Sequence, residues 1–567
     1  MGRTALRKGG RAETRATNLP KTTKASHGHD GTRLAVQFAD VSWVVLLLAL
    51  LGAAYAATLS ANFVRWDDQF YVSENPLVQS PEGWKAFWNP TDRRSPQFYP
   101  LVFSSYWIEY RLWGLDARGY HLVNLLLHGA SSVIAYCLVR WWGFEAPLAF
   151  LASSIFALHP VQVASVAWIS ERKNTLSGFF LLLAFASYWK WYRERSTAWY
   201  AVSFCCFAAC LLSKTQPVLM PVSFLLAQWA AERSRRECAV QPWWERGMGA
   251  LPFLAASLVM AAITARFEHD RWPPLPIPWP ERLIIAANAL GFYITAVLWP
   301  AGLSPIYAKW DIQIHAWQWW VAPLGWACAA ILGWRWRDRL HPWVVWGLGH
   351  FVFGIFPVLG FVPFNFFTYS YVADHFSYFS MIGAGVVAAV LLQSLPVRTR
   401  FPRTAVPIAL ALLCAALSFR QALHWRDNLS FWLAVREHDP EGFLPNFNLG
   451  LHFRREERWD EALRYFRAAA EARPYAGFVF RRYAEALLHA RGASAVLDMC
   501  SQWLRKRPGF APAYLERGRA WEQTGNWSEA ARDYEEAARY AHNDTATAEE
   551  ARVRLREIRR RLGQTRP

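Results

Sequence analysis

Two adjacent aspartates, Asp67 and Asp68, stand in the run Arg65–Val72, RWDDQFYV, directly after the first long apolar stretch. Neighbouring carboxylates repel, so at a hydrated interface such a pair suits a catalytic base, a metal ligand or a sugar anchor. It suits equally well a helix that simply ends in water. The choice depends on which partners the rest of the chain brings to it. Charged candidates recur beside later apolar runs: the knot Glu171-Arg172-Lys173, then Lys214 in SKTQP, then Asp374 and His375 in FNFFTYSYVADHFSYFS. His121, Asn124 and His128 are spaced three and four apart and share one helix face. Polar groups inside a membrane are costly and usually face the bundle interior, so this stripe reads as the lining of a cavity. A lone buried histidine is more often structural. His159, before the helix-breaking Pro160, joins the same candidate lining.

The elements that must position these residues are membrane helices. The 567 residues are 54% hydrophobic and 16% aromatic and include 33 Trp. Aromatic belts at membrane surfaces explain that better than a soluble core does. Mean hydropathy is only +0.05, so apolar runs alternate with polar parts. The net charge of +18 is scattered among loops. That reports orientation rather than a basic nucleic-acid face, and no nucleic-acid partner is expected. The eight cysteines lie mostly inside apolar runs and contain no C-x-x-C pair. Neither a zinc site nor a disulfide framework is suggested.

Residues 1–33 hold eight Lys and Arg against Glu13 and Asp30. The stretch 1–38 reads as a disordered basic tail, held in the cytoplasm by the positive-inside rule. It is too long, and lacks a clear small-residue cleavage site, to be a simple signal peptide. Apolar runs follow at about 41–59, 120–141, 146–158, 175–189, 198–212, 217–230, 250–264, 317–333, 343–360, 378–394 and 404–419. That is about eleven spans, forming a domain over 39–420. The run 283–299 is apolar enough to cross, yet a crossing there would place the basic loop 334–341 outside. It is therefore expected to be re-entrant. This alternation puts Asp67, Asp68, Glu171, Arg172, Lys173 and Lys214 on one outer face. The outer loop 61–118 carries Trp66, Trp84, Trp88, Trp107 and Trp113, which suits helices in the headgroup layer.

After Arg420 the composition changes. Pro440, Pro474 and Pro508 recur at intervals of 34, as do Gly450, Ala484 and Gly518. Small residues in a first helix and a terminal Pro at that period are the tetratricopeptide signature. Repeats at about 441–474, 475–508 and 509–542 would stack as helical hairpins, the middle one degenerate, in a domain over 421–567. The expected fold is therefore all-α: a polytopic membrane helix bundle followed by a tetratricopeptide helical-repeat domain that binds a protein partner.

This order of features resembles the transmembrane-and-tetratricopeptide proteins of the GT-C superfamily of polyprenyl-phosphate-sugar-dependent glycosyltransferases. The resembling stretches are WDDQFYVSENPLV, FYPLVFSS, GYHLVNLLLH, FALHPVQVASVAWISERKNTLS, LLSKTQPVLMPV, YVADHFSYFSMIG and the C-terminal repeats, from about residue 40 to 545. The resemblance implies a GT-C-like bundle with Asp67 and Asp68 as the catalytic site. It also implies a donor of mannose or a related hexose on a polyprenyl phosphate. Two departures stand out. Asn174 replaces the usual Asp of E-R-K-D, and the usual A-D-R-Y is Ala373-Asp374-His375-Phe376. His375 could hold a phosphate only when protonated, which shifts that task to Arg172, Lys173 and Lys214.

On this reading an aspartate deprotonates an acceptor hydroxyl on a polypeptide Ser/Thr or a glycan, and the sugar transfers with inversion. Two carboxylates are compatible with a divalent metal, but no second ligand cluster is evident and no cofactor is expected to be required. The setting expected is a bacterial inner membrane, in contact with its lipids, with the N-terminus cytoplasmic and the repeats periplasmic. The alternative is a non-enzymatic, membrane-anchored tetratricopeptide scaffold in envelope assembly. A scaffold, however, needs one anchor rather than about eleven spans. A polysaccharide polymerase or ligase would favour a larger outer loop than 301–316 or 361–377.

Overall fold

The computed structural model describes residues 29–234, 243–271, 276–362, 364–396, 401–542 and 544–564. Among these residues there are helices and turns but no strand. The basic tail expected over 1–38 lies outside the described residues except for 29–38, which begin a helix rather than ending a disordered tail.

The membrane part runs α1 (His29–Ala54), α2 (Pro100–Trp113), α3 (Ala117–Trp141), α4 (Ala146–Leu158), α5 (Arg172–Glu194), α6 (Thr197–Ser213), α7 (Met220–Ser234), α8 (Trp243–Arg271), α9 (Trp279–Leu298), α10 (Val321–Arg335), α11 (Pro342–Ile355), α12 (Met381–Ser394) and α13 (Phe401–Ala422). Five helices are long and apolar enough to cross a bilayer, and a sixth if α4 and the bent segment Pro160–Ala167 count as one. The remaining expected runs are also helices, but shorter or more charged, such as Thr197–Ser213. The chain is an integral membrane protein. Residues 283–299, expected as re-entrant, lie in α9, a continuous helix that is itself one of the five. A re-entrant segment needs a break that would free backbone groups, and no break occurs there.

Two features of the bundle shape the site. Pro160 removes a backbone donor, and the chain turns by 43° after His159. Beyond that turn residues 160–171 continue as short helical pieces rather than one straight helix. Helices α11 and α12 meet through glycine. A Cβ on Gly383 would sit 2.4 Å from the Gly347 carbonyl oxygen, so their backbones touch in the way small residues permit between membrane helices.

The C-terminal part begins with α14 (Asn428–His438). Three hairpins follow: α15 (Phe443–Arg455) with α16 (Trp459–Ala472), α17 (Gly477–Arg491) with α18 (Ala493–Lys506), and α19 (Ala511–Gln523) with α20 (Trp527–Tyr540). Helix α21 (Thr545–Gln564) closes the stack. Each 34-residue interval holds one hairpin. The repeated small residue has a steric cause. A Cβ on Gly450 would lie 2.6 Å from the Phe466 ring, and one on Gly518 would lie 2.8 Å from Tyr534. In the middle repeat the corresponding pair is Ala484 and Cys500, buried in one cluster. A smaller partner there tolerates a methyl group.

The repeat domain is joined firmly to the bundle. Trp425 stacks on Trp168 at 5.4 Å, and Trp432 meets Trp66 edge-on at 5.6 Å. The Asn62 N–H donates to the Arg426 carbonyl at 2.9 Å, and the Arg65 N–H donates to Asn428 Oδ1 at 3.2 Å. The acidic loop therefore touches both domains.

Candidate active site

Asp67 and Asp68 close the turn that leads into one π-helical turn, Gln69–Ser73, a backbone irregularity often found at functional sites. The two carboxylates have different fates. Asp68 is buried. Its Oδ2 accepts the Val64 N–H at 2.9 Å. Its Oδ1 accepts the Ser170 N–H at 2.9 Å and also the Ser170 hydroxyl. Burial pushes its carboxyl up to about 7 against those hydrogen bonds. Asp68 therefore fastens the acidic turn to the segment before α5. Asp67 keeps a side chain 33% exposed, with Oδ2 3.9 Å from Lys173 Nζ. Withdrawal from bulk water raises its carboxyl above the usual range, and Lys173 pulls the other way. Asp67 is the carboxylate that a solute can reach.

From Asp67 a row of alternating charges runs inward. Lys173 Nζ lies 2.9 Å from Glu171 Oε1, and Lys214 Nζ lies 3.5 Å from Glu171 Oε2. His375 Nε2 lies 3.7 Å from Glu171 Oε1. Side-chain exposure falls from 33% at Asp67 to 10% at Lys173 and zero at Glu171. Burial disfavours charge on Glu171, but His375, Lys173 and Lys214 hold its carboxyl below the usual range. Burial pushes His375 itself down to about 3, so at neutral pH the two ammonium groups carry that effect and His375 offers no charge to a phosphate. Burial brings the Lys214 ammonium down to about 8, with Glu171 opposing the shift. Lys173 is also roofed by the rings of Tyr71, 5.0 Å away, and Trp168, 5.7 Å away, a cation–π setting that stabilises its charge. Lys214 donates to Asn174 Oδ1 at 2.7 Å, and Asn174 Nδ2 in turn donates to the His375 carbonyl at 2.7 Å. Asn174 thus ties α6, α5 and the 374–380 segment together without adding a charge.

Arg172 stands apart from this row. Its Nε donates to Asn124, Nη1 to Glu109 and to Ser105 Oγ at 3.2 Å, and Nη2 to Glu109 Oε2 at 3.2 Å and to the Tyr120 carbonyl at 2.9 Å. A guanidinium has five donors, and all five are engaged. The expectation that Arg172 holds a phosphate is corrected accordingly: it braces α2, α3 and α5 against one another.

The expected cavity lining divides as well. Asn124 accepts from Arg172 and donates to the Trp168 carbonyl at 3.1 Å, so it belongs to the brace. His128 is held between Tyr378 OH at 2.9 Å and the Ala157 carbonyl at 3.0 Å. His159 contacts the Val297 carbonyl at 3.0 Å while its Nδ1 accepts from Val161. Both are structural pins rather than cavity walls. His121 is buried near Arg172. Asp374 is buried and accepts the Tyr307 hydroxyl at 2.7 Å. Of the expected lining, Glu171 alone sits within the charged row.

Residue-by-residue reading of the sequence passed over Glu109, Ser170 and Tyr71. A carboxylate inside the aromatic helix YWIEYRLW was the available signal for Glu109, since a buried acid demands a cationic partner. Nothing local marked Ser170 or Tyr71. Tyr71 also donates to Gln97, whose Nε2 lies 3.4 Å from Glu268 Oε1, so the far end of the acidic loop is tied to α8. Among the described residues no group of three or more His, Cys, Asp or Glu side chains is arranged to hold a metal ion.

Fold and site together define a polytopic helical membrane protein with a row of charged side chains running inward from a partly exposed aspartate, and a C-terminal helical-repeat domain. Over parts of its length the chain is similar to proteins named protein O-mannosyl-transferases. It is 22% identical over 436 residues to Protein O-mannosyl-transferase F38B6.6 of Caenorhabditis elegans, covering 72% of this chain and 59% of the relative. It is 32% identical over 174 residues to Protein O-mannosyl-transferase tmtc2 of Xenopus laevis, covering 29% and 20%. The chain thus spans about three-fifths of the first relative and a fifth of the second. No family model matches the chain. Among solved structures, ArnT from Cupriavidus metallidurans bound to undecaprenyl phosphate aligns with 81% of this chain and 80% of its own, at 14% identity and a TM-score of 0.34.

Proposed function

We propose that the protein is a membrane glycosyltransferase that moves a hexose, mannose by preference, from a polyprenyl phosphate to an acceptor hydroxyl on the outer face. The observation that carries this reading is the row Asp67, Lys173, Glu171 and Lys214, with its exposed end at Asp67. Its relatives named protein O-mannosyl-transferases support the sugar and a polypeptide Ser/Thr as acceptor.

In the proposed step the acceptor oxygen attacks the anomeric carbon while the bond from that carbon to the phosphate oxygen breaks. The hydroxyl proton passes to Asp67, and the bonding electron pair leaves with the polyprenyl phosphate. A single displacement inverts the anomeric configuration. Lys173, nearest Asp67, pairs with the phosphate as its charge grows, because a preorganised cation in a water-poor site stabilises a leaving anion. Lys214 stands behind it, with Glu171 between the two as a fixed counter-charge. His375 adds positive charge only when protonated. The reaction so written requires no metal. The basic stretch 1–33 supports a cytoplasmic N-terminus, and a bacterial inner membrane with periplasmic repeats completes the proposal.

The test is transfer from radiolabelled polyprenyl-phosphate mannose in membranes carrying wild-type or Asp67→Asn protein. Loss of labelled product in the variant, at wild-type protein levels, is expected. Full transfer by Asp67→Asn overturns the assignment of the base.

A further inference from the structure

A cleft of about 540 Å³ opens along the seam between the bundle and the first repeat. One wall is Trp66, the residue before Asp67, together with Tyr307, Lys309 and Tyr369. The other comes from the repeat domain and includes Phe447 and Arg473. Two links tie the cleft to the charged row. Trp66 leads directly into Asp67, and Tyr307 donates to Asp374, the neighbour of His375.

The lining identifies an occupant. Trp66, Tyr369, Phe443 and Phe447 supply flat apolar surface. Asn448, whose Nδ2 donates to the Leu444 carbonyl at 2.9 Å, adds an amide oxygen able to accept a backbone N–H. Lys309 and Arg473 are exposed, and neither has a carboxylate partner among the described residues. Lys309 lies over the ring of Tyr371 and Arg473 over that of Phe443. Against these two cations the cleft offers one acid, Asp439. The volume falls in the range of ligand-binding clefts and accommodates a few residues of extended chain. One wall belongs to the polar repeat domain, and the exposed cations Lys309 and Arg473 stand at the cleft, which favours a polar chain over a lipid tail.

We propose that this seam binds an extended acidic polypeptide segment and presents its Ser or Thr hydroxyl to Asp67. Presentation of the hydroxyl to Asp67 rests on the proposed transfer; binding of the segment does not. Lys309 and Arg473 grip the acidic side chains, the aromatic residues hold their apolar neighbours, and Trp66 sets the distance to the carboxylate. Substrate choice would then reside at the junction of the two domains rather than in the charged row.

The experiment uses the full-length protein in nanodiscs, without sugar donor. Its probes are a fluorescent Ser/Thr-containing peptide rich in Glu and the same peptide with Lys at each Glu position. Wild type is expected to bind the acidic peptide about tenfold more tightly. The Lys309→Glu, Arg473→Glu double variant is expected to reverse that preference, and Arg560→Glu on the last helix to leave it unchanged. Equal binding of both peptides, or an unaltered preference in a double variant that melts like wild type, overturns the proposal. Should the double variant misfold, a photocrosslinking residue in place of Tyr369 decides. Capture of the acidic peptide supports the seam, and capture of lipid alone refutes it. Peptide binding without transfer would sink only the enzymatic reading, and transfer without charge-selective binding would sink only the seam.

Discussion

The Asp68 carboxylate accepts the Ser170 N–H at 2.9 Å across 102 residues of chain. This contact places Asp67 beside Lys173, because Asp67 precedes the pinned residue on one strand of the contact and Lys173 follows Ser170 by three on the other. One aspartate holds the geometry and its neighbour keeps a partly exposed carboxylate.

The two aspartates should therefore fail differently. Asp67→Asn is expected to reduce transfer by about 10²–10⁴-fold, the usual contribution of a general base, with an unchanged melting temperature. Asp68→Ala orphans the buried Val64 and Ser170 donors and should cost about 1–3 kcal/mol of stability. Its activity loss should follow the fraction misplaced. Thermal melts beside radiolabelled transfer separate the two, and equal melting losses would remove the distinction.

The Arg172–Glu109 pair is expected to be structural. Glu109→Leu alone leaves a buried guanidinium uncompensated and should destabilise by about 3–5 kcal/mol. The double variant Glu109→Leu, Arg172→Met should recover much of that loss. A melt in nanodiscs measures both. Recovery of stability without recovery of activity would show that Arg172 does more than brace.

Transfer should have a bell-shaped pH profile. On the acid side it falls as Asp67, raised above the ordinary carboxylate range by partial burial, takes up a proton and can no longer act as a base. On the alkaline side it falls as Lys214 loses its proton near 8. Lys214→Arg keeps the cation charged at every accessible pH, so the alkaline limb should vanish while the acid limb stays. An alkaline limb unchanged in that variant assigns it to another group.

The proposed reaction needs no divalent ion, so transfer rates should be the same with and without chelator in exhaustively dialysed membranes. Activity lost to chelation and restored by Mg²⁺ or Mn²⁺ would contradict this and would call for a carboxylate set that includes Asp67.

In the repeat domain, Gly518→Val drives side-chain atoms into the Tyr534 ring, from which even a Cβ is only 2.8 Å. Overpacking of this kind costs about 1–3 kcal/mol. Ala484→Gly, at the position facing the smaller Cys500, should cost less. Melting the full-length variants compares them, and an equal loss would show that the aromatic partner does not set the requirement for glycine.

The helices were legible in the sequence because their signals are local. Apolar length and the proline after His159 each act within one element, and the 34-residue period recurs along the chain, so all three are visible without knowing any tertiary contact. The association of Asp67 with Glu171, Lys173 and Lys214 was legible only as a shared side of the membrane. Charge rules assign a loop to a face but say nothing of where on that face it lies. Local signals also misjudged α9, where loop charges argued for a break that the backbone does not make.

The sequence by itself determined that this is a helical membrane protein with a repeat domain and an acidic pair beside its first span, since periodicity and hydropathy need no partners. Only the tertiary structure decided that Asp68 is a pin and Asp67 partly exposed, and that Arg172 is spent on Glu109 while Lys173 stands between Asp67 and Glu171. It also decided that the first repeat closes a cationic seam beside Trp66. Those distinctions depend on which donor meets which acceptor across a hundred residues or more, and hydrogen-bond saturation is a property of the folded neighbourhood rather than of any residue type.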